Sequence, residues 1–193
     1  MERVRVVEKR RVFDDIFKID EALLQHRKHD GSWSEPIRQL SFERGDSVAA
    51  LLRRRETGDL ILVEQFRYPT LEKGPGWMAE IVAGSVEDEP PDETMVREVR
   101  EETGYEVERL DRIATFYVSP GGTSERVILY YGEVSGEAER EVGMGVGEED
   151  IKVIERSPDE LWQNFLSGQL VDAKTIIGLL WLRTASEYEY DKE

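Results

Sequence analysis

Several charged side chains in one short stretch, "REVREE" at 97–102, have the types and spacing for chemistry. Glu98 and Glu102 are four residues apart and would lie one above the other on a helix, with Glu101 beside them. Stacked carboxylates next to a turn that offers backbone carbonyls form an oxygen-rich site for a hard divalent cation such as Mg²⁺. A solvated helix tied by ion pairs between residues four apart, such as Arg97 and Glu101, is the commoner meaning of such a run. On spacing alone, both interpretations stay open.

Proline residues before this stretch and a glycine after it predict that it is a helix. Pro90 and Pro91 suit a first helical turn, and Gly104 suits the residue that ends a helix. Met95, Val96 and Val99 would then form a narrow apolar stripe that packs on a sheet. The charged run is therefore expected on the outer part of a helix that covers a sheet.

Apolar runs separated by turn signals predict the other elements. Residues 4–28 read as strands, "DSVAALLRRRETGDLILVEQFRYP" as a hairpin, and "MAEIVAG" as one further short strand. "RIATFYV" and "ERVILYYGEV" flank the turn "SPGGTS", and two helices follow, "SPDELWQNFLSG" with Ser157 as N-cap and "DAKTIIGLLWLRTA". Trp77, Trp162 and Trp181 are predicted to lie in the core. This order of elements favours an α+β fold in which helices cover a mixed sheet.

Composition bounds the functional classes. The chain has 193 residues, 39% of them hydrophobic and 35% charged, as in soluble globular proteins. It has no cysteine, which excludes disulfides, thiolate metal sites and cysteine nucleophiles. A formal net charge of -16 argues against general binding to nucleic acid or to an anionic membrane. Charges run through "MERVRVVEKRRVF", where a signal peptide would be apolar, so we expect a cytoplasmic protein.

The stretch "REVREETGY" resembles the R-E-U-x-E-E-x-G-U half of the Nudix box, where U is an apolar residue. Outside the box, "LVEQFRYP", "EIVAG", "YVSPGGTSE" and "GVGEEDIKVIE" resemble, in order and spacing, the Nudix hydrolases that act on nucleoside diphosphate sugars. These are the ADP-ribose and GDP-mannose pyrophosphatases, and the resemblance covers residues 38–185. Only four residues separate Gly84 from Glu89, one fewer than in the family pattern, and this shorter loop is more similar to the GDP-mannose group.

The resemblance implies a fold and a domain organisation. Residues 45–193 would form the α/β/α Nudix sandwich, with a mixed sheet between helices. Residues 1–44 would be an N-terminal antiparallel β extension that helps to build a homodimer. Active sites that borrow residues across the dimer interface would follow.

The resemblance also implies a metal site. Glu98 and Glu102 would be side-chain ligands of Mg²⁺, or alternatively of Mn²⁺, and the backbone carbonyl of Ala83 would be a third ligand. Glu101 would support these ligands or bind an additional metal ion, and Arg97 would orient the carboxylates. A metal cluster of this kind neutralises a diphosphate while water attacks phosphorus.

The remaining implied roles concern water and substrate. Glu149, with Glu148 as the alternative, would act as general base or position the attacking water, on a glycine-containing loop between the last strands. The implied substrate contacts are Arg67, Glu80, Glu125, Lys174 and Arg38. The expected activity is hydrolysis of a nucleotide sugar to a nucleoside monophosphate and a sugar phosphate. The rival hypothesis is a Nudix-fold module that senses a nucleotide sugar without hydrolysing it.

Overall fold

A computed structural model describes residues 2–136, 142–144 and 150–190 of the chain. The chain forms two compact units, one of Met1–Asp46 with Tyr117–Arg126, the other of Ser47–Phe116 with Val127–Glu193. The predicted division into domains at 1–44 and 45–193 stays a prediction. Within the described ranges, no helix combines the length and the apolar character needed to cross a membrane.

The first unit contains a three-stranded antiparallel sheet in the order β1–β2–β3. Its strands are β1 (Val4–Asp14), β2 (Lys18–His26) and β3 (Ile37–Glu43). This confirms the predicted N-terminal antiparallel extension. Every residue of the edge strand β1 is exposed. Residues 117–126 join this unit through the backbone of Phe42, whose N–H donates to the Gly122 carbonyl at 2.8 Å.

Cross-strand ion pairs explain how a strongly charged segment forms strands. Arg11 Nε donates to Asp20 Oδ1 at 2.8 Å, and Lys9 Nζ lies 3.0 Å from Asp20 Oδ2. The hydrogen bonds from Arg11 and Lys9 lower the pKa of Asp20 to about 2. Opposite charges on neighbouring strands stabilise the pairing of β1 with β2.

The second unit is built on a mixed sheet whose strands follow the order β10–β11–β5–β4–β9–β8. The strand β4 runs parallel to β9 and antiparallel to β5. The strands are β4 (Ser47–Arg54), β5 (Leu60–Phe66), β6 (Trp77–Glu80), β7 (Val82–Ser85), β8 (Glu106–Tyr117), β9 (Arg126–Ser135), β10 (Val142–Met144) and β11 (Ile151–Arg156). The hairpin predicted over β4 and β5 is confirmed.

The segment "MAEIVAG" is two strands, and the prediction of a single strand is wrong. The strands β4 and β5 pair with each other at Leu52–Ile61 and Arg53–Leu60. Away from these pairs, each of the two strands pairs with a part of "MAEIVAG". Strand β6 pairs with β5, and β7 pairs with β4. The chain therefore changes partner at Ile81, between β6 and β7.

Helices cover both faces of this sheet. They are α1 (Pro91–Thr103), α2 (Pro158–Leu166) and α3 (Ala173–Tyr190). Met95 and Val99 of α1 belong to one buried apolar cluster, and Leu161 of α2 and Leu179 of α3 belong to the other. The predicted α+β sandwich, with a mixed sheet between helices, is confirmed.

The helix ends agree with the predicted signals. Helix α1 starts after Pro90 and ends at Gly104, which has φ of 74° and donates its N–H to the Arg100 carbonyl at 2.9 Å. At the start of α2, the Ser157 hydroxyl accepts a hydrogen bond from the Glu160 N–H at 3.2 Å. These local signals set the bounds of both helices.

Two predictions about packing are wrong. Val96 is 43% exposed, whereas Thr94 and Thr103, which bond back to carbonyls of the helix region, are fully buried. Trp77 is 48% exposed and its ring lies tilted against that of Phe66, with ring centroids 5.8 Å apart. Trp162 and Trp181 are partly buried and do pack against the core cluster.

We expect Gly104→Ala to lower the free energy of unfolding by about 1 kcal/mol, because an L side chain is disfavoured at positive φ. The measurement is urea denaturation followed by circular dichroism. Gly121→Ala is the matched control, since a methyl group there meets nothing within 4 Å and φ is not positive. Equal stability of the Gly104 variant and the control would contradict the assignment of Gly104 as a left-handed cap.

Candidate active site

The acidic helix α1 packs directly on the backbone of strand β7. A Cβ atom at Gly84 would overlap Cδ and Oε1 of Glu98, so glycine leaves room for this carboxylate in its present position. Ala83, the adjacent residue, is held in the sheet by its register with Ala49 of β4. The structure therefore brings the Glu98 carboxylate to the strand segment that carries the predicted carbonyl ligand.

Arg97 braces the carboxylates of this helix. Its Nε donates to Glu89 Oε1 at 2.7 Å, and its Nη1 donates to Glu101 Oε2 at 2.7 Å. Its Nη2 lies 3.0 Å from Glu98 Oε1. One guanidinium thus contacts three carboxylates, and Glu102 lies buried on the same helix. The orienting role of Arg97 stays a prediction.

The contact with Glu89 explains how the shortened loop is accommodated. The hydrogen bond that Arg97 donates to Glu89, followed by the charges of Glu98 and Glu101, raises the pKa of Arg97 above its already high ordinary value. Four residues between Gly84 and Glu89 are thus enough to bring the Glu89 carboxylate onto the arginine. The shorter loop keeps Glu89 as a partner of Arg97, next to the three carboxylates of α1 that we call the acidic cluster, Glu98, Glu101 and Glu102.

The amino-terminal end of α1 is fixed to strand β9 of the sheet by a hydrogen bond. The hydroxyl of Tyr130, on β9, donates to the Asp92 carboxylate in the first turn of the helix. Burial, followed by the hydrogen bond and charge of Asp92, raises the pKa of Tyr130. This tyrosine therefore stays protonated at neutral pH and can keep donating to Asp92. The helix that carries the acidic cluster is anchored at its start.

A second charged cluster surrounds Glu80, which is only 3% exposed. Arg67 Nε donates to Glu80 Oε1 at 2.7 Å, and Lys174 Nζ donates to Glu80 Oε2 at 2.8 Å. The two cations come from the end of β5 and the start of α3, so three predicted substrate contacts meet in one place. A buried carboxylate needs such partners, because an unpaired buried charge is costly.

Asp172 also belongs to this cluster and was not predicted. Its Oδ1 accepts a hydrogen bond from Lys174 Nζ at 2.8 Å. Burial by itself lowers the pKa of Lys174, but the charges of Glu80 and Asp172 outweigh burial and raise it. The lysine is thus a firmly charged bridge between two carboxylates. The signal in the sequence was the aspartate just before the helix in "DAKT", a common N-cap pattern.

Four predicted site residues are not among those brought together in the second unit's described residues. Arg38 and Glu125 belong to the first compact unit. There Glu21 pairs with both Arg38 and Arg10, and Glu125 lies 3.8 Å from Arg44 Nη1. The predicted catalytic residues Glu148 and Glu149 lie outside the described residues.

The chemistry of the acidic cluster fits a hard divalent cation. Its side-chain donors are carboxylate oxygens, and the missing Cβ at Gly84 leaves a cradle in which the Glu98 carboxylate meets the strand. Among the described side chains, no three acidic or histidine groups already converge on a single metal position. The assignment of Ala83, Glu98, Glu101 and Glu102 as ligands therefore stays a prediction.

The fold and the site define a structural class, the α+β sandwich with two charged clusters on one sheet. One cluster is an acidic helix whose carboxylates contact an arginine, and the other is a buried glutamate that contacts an arginine and a lysine. The crystal structure of an ADP compounds hydrolase has this fold. It superposes with a TM-score of 0.74 over 98% of this chain and 97% of that chain, at 13% sequence identity. An identity this low shows similarity of fold alone.

The chain belongs to the NUDIX domain family, whose model matches residues 43–176. Similar proteins include a GDP-mannose pyrophosphatase from Pectobacterium atrosepticum, 34% identical over 176 residues, which cover 90% of this chain and 91% of that protein. A GDP-mannose pyrophosphatase from Yersinia pestis (strain Pestoides F) is 31% identical over 163 residues, 83% of this chain and 82% of that protein. The family resemblance predicted from the acidic stretch is confirmed. Members of the family generally use divalent metals.

Gly84→Ala should weaken binding of a divalent cation while leaving the fold intact. The added methyl group would overlap the Glu98 carboxylate, which can move because it is the end of a flexible side chain. We expect Mn²⁺ affinity, measured by electron paramagnetic resonance titration, to fall by about tenfold or more, as when a ligand loses its support. Gly121→Ala, in open space, should bind Mn²⁺ like the wild type. Unchanged Mn²⁺ affinity in the Gly84 variant would contradict the claim that the space at Gly84 places Glu98 for cation binding.

Proposed function

We propose that this protein hydrolyses the diphosphate bond of a nucleoside diphosphate sugar of the GDP-mannose or ADP-ribose type. The products are a nucleoside monophosphate and a sugar phosphate. The observation that carries the proposal is the Arg97-braced acidic cluster, packed against Gly84 of β7, in a NUDIX family chain with GDP-mannose pyrophosphatase relatives. The proposed protein is thus an enzyme that cleaves phosphoric anhydride bonds with the help of a divalent cation.

The acidic cluster is the proposed binding site for Mg²⁺, with Mn²⁺ as the alternative. Glu98, Glu101 and Glu102 would hold the cation together with the carbonyl of Ala83. When bound, such a cation offsets the charge of the diphosphate and stabilises the charge that develops on its oxygens. Arg97 keeps Glu98 and Glu101 on one side of the helix through hydrogen bonds and ion pairs.

Arg67 is the proposed contact to the diphosphate. Its side chain is 42% exposed, and it reaches the buried Glu80 through Nε. A guanidinium bound through Nε still presents terminal N–H groups in a planar fork that matches phosphate oxygens. Lys174, Glu125 and Arg38 are further proposed contacts to the substrate. Activation of water by Glu149, or alternatively Glu148, stays a prediction.

We also propose that the protein is a homodimer formed through its N-terminal sheet. The edge strand β1 is exposed along its whole length and carries apolar side chains, among them Val6 at 59% exposure and Val7 at 60%. An exposed edge strand presents unpaired backbone N–H and C=O groups to which another chain can pair. The cytoplasmic location stays a prediction.

Turnover of a nucleotide sugar in the presence of Mg²⁺ is the direct test of the proposed function. The purified protein is incubated with Mg²⁺ and GDP-mannose, ADP-ribose, other nucleotide sugars or dinucleoside polyphosphates, and products are separated by chromatography. We expect a nucleoside monophosphate and a sugar phosphate from at least one nucleotide sugar, and loss of turnover with EDTA. Binding of a nucleotide sugar without turnover would support a sensor module instead.

Glu98→Gln should lower kcat by roughly two to three orders of magnitude, because it removes a charge that would hold the cation at the reacting phosphate. The melting temperature should change little, since the amide has the size of the carboxyl group. Glu93→Gln is the matched control, because Glu93 is exposed in the first turn of the same helix. Full activity of the Glu98 variant would rule out the metal assignment.

Val6→Asp should convert a dimer into a monomer, because burying an unpaired carboxylate in an interface is costly. Light scattering after gel filtration should give the wild type twice the chain mass of 22.3 kDa and the variant one chain mass. Val171→Asp, at an exposed position of the second unit, should leave the mass of the assembly unchanged. A monomeric wild type would contradict the proposed assembly.

A further inference from the structure

The partner change between β6 and β7 leaves Ile81 outside both strands, and the start of α3 supplies its hydrogen bond. The Ile81 N–H donates to the hydroxyl oxygen of Thr175 at 3.0 Å. Thr175 is fully buried, so the pairing takes place away from water. A buried backbone N–H needs a partner, and here a side chain 94 residues away provides it.

The same hydroxyl continues into the charged cluster around Glu80. Thr175 Oγ1 donates to Asp172 Oδ2 at 2.6 Å, and that oxygen also accepts the Thr175 N–H at 2.9 Å. The other Asp172 oxygen holds Lys174 Nζ, which in turn holds Glu80 Oε2, both at 2.8 Å. Because Glu80 and Ile81 are neighbours in the chain, these contacts form a closed ring.

This ring fixes Glu80 from two sides. Lys174 holds its carboxylate, and Thr175 holds the backbone immediately after it. Glu80 in turn orients Arg67 through the hydrogen bond to Nε. On the other side of Ile81, Ala83 is held independently by its register with β4.

We propose that Thr175 is a positioning residue for substrate binding, acting through Ile81, Asp172 and Glu80 on Arg67. This inference rests on the proposed function, since Arg67 is the proposed diphosphate contact. Thr175 has no direct contact with substrate in this scheme. Its hydroxyl keeps the divided strands and the start of α3 in register, and the orientation of Arg67 depends on that register.

Thr175→Val keeps the shape of the side chain but removes a donor and an acceptor that are both in use. We expect KM for the nucleotide sugar to rise about tenfold with a smaller change in kcat, because two buried polar groups lose their partner. The Mg²⁺ concentration for half-maximal activity should stay within about twofold of the wild type, because Ala83 is held separately. A merely structural role would not separate KM from the metal requirement in this way.

Two further variants identify the hydroxyl as the cause. Thr175→Ser should restore KM, because it retains the hydroxyl. Thr184→Val makes the same chemical change on the same helix, where the hydroxyl bonds back to the Leu180 and Trp181 carbonyls, and it should leave KM unchanged. A wild-type KM in Thr175→Val, an unrestored KM in Thr175→Ser, or a shifted Mg²⁺ requirement would overturn the inference.

Asp172→Asn carries the test if Thr175→Val does not fold. Asparagine preserves the N-cap acceptor but removes the charge that holds Lys174, so KM should again rise, and an unchanged KM would overturn the inference. If the wild type shows no turnover, the proposed function fails, and the dissociation constants for GDP-mannose and ADP-ribose replace KM as the readout. A wild type that neither turns over nor binds these compounds would overturn both proposals.

Discussion

The candidate site depends on one constraint, which is that a single short segment must serve two diverging strands. The ends of β4 and β5 separate beyond Leu52 and Ile61, so the segment from Trp77 to Ser85 pairs first with one and then with the other. The part of this segment before Ile81 carries Glu80, which Arg67 and Lys174 contact. The side after it carries Ala83 and Gly84, against which the acidic helix packs. Both charged clusters are thus built on one split in the sheet.

Charge balance within these clusters reconciles an acidic chain with the proposed anionic substrate. The net charge of -16 is unfavourable for a diphosphate at long range. Locally, however, Arg97 neutralises part of the acidic cluster, and Arg67 and Lys174 balance the charges of Glu80 and Asp172. The proposed cation would supply the remaining positive charge beside the acidic helix. A general acidic surface is therefore compatible with an anionic substrate.

Local signals made helix α1 predictable, whereas the split sheet was not. Pro90 and Gly104 act through their own backbone geometry, so their positions were readable from neighbouring residues. The partner change at Ile81 depends on two strands from another part of the chain, and nothing in "MAEIVAG" signals it. Val96 was placed wrongly for a related reason. Periodicity shows which residues share a face, but the tilt of a helix on its sheet decides which of them are buried.

The candidate site divides in the same way. Spacing alone placed Arg97, Glu98, Glu101 and Glu102 on one helix, but it could not choose between a solvated face and a cation site. Glu80 and Lys174 are 94 residues apart, so their contact could only come from the family resemblance. Asp172 and Thr175 were not predicted as part of the site. An N-cap pattern indicates where a helix starts, but it does not indicate that the same residues also link the helix to Glu80.

The geometry around Glu80 also separates the roles of its two cations. Lys174 has one nitrogen, and that nitrogen already lies between Glu80 and Asp172 in a largely buried place. Arg67 uses only one edge of a planar group for Glu80, and its side chain is nearly half exposed. Because an arginine can bind a carboxylate and a phosphate at once, Arg67 can meet an anion without abandoning Glu80. Lys174 would first have to give up a buried ion pair, so Arg67 is the stronger of the two proposed substrate contacts and Lys174 is the weaker.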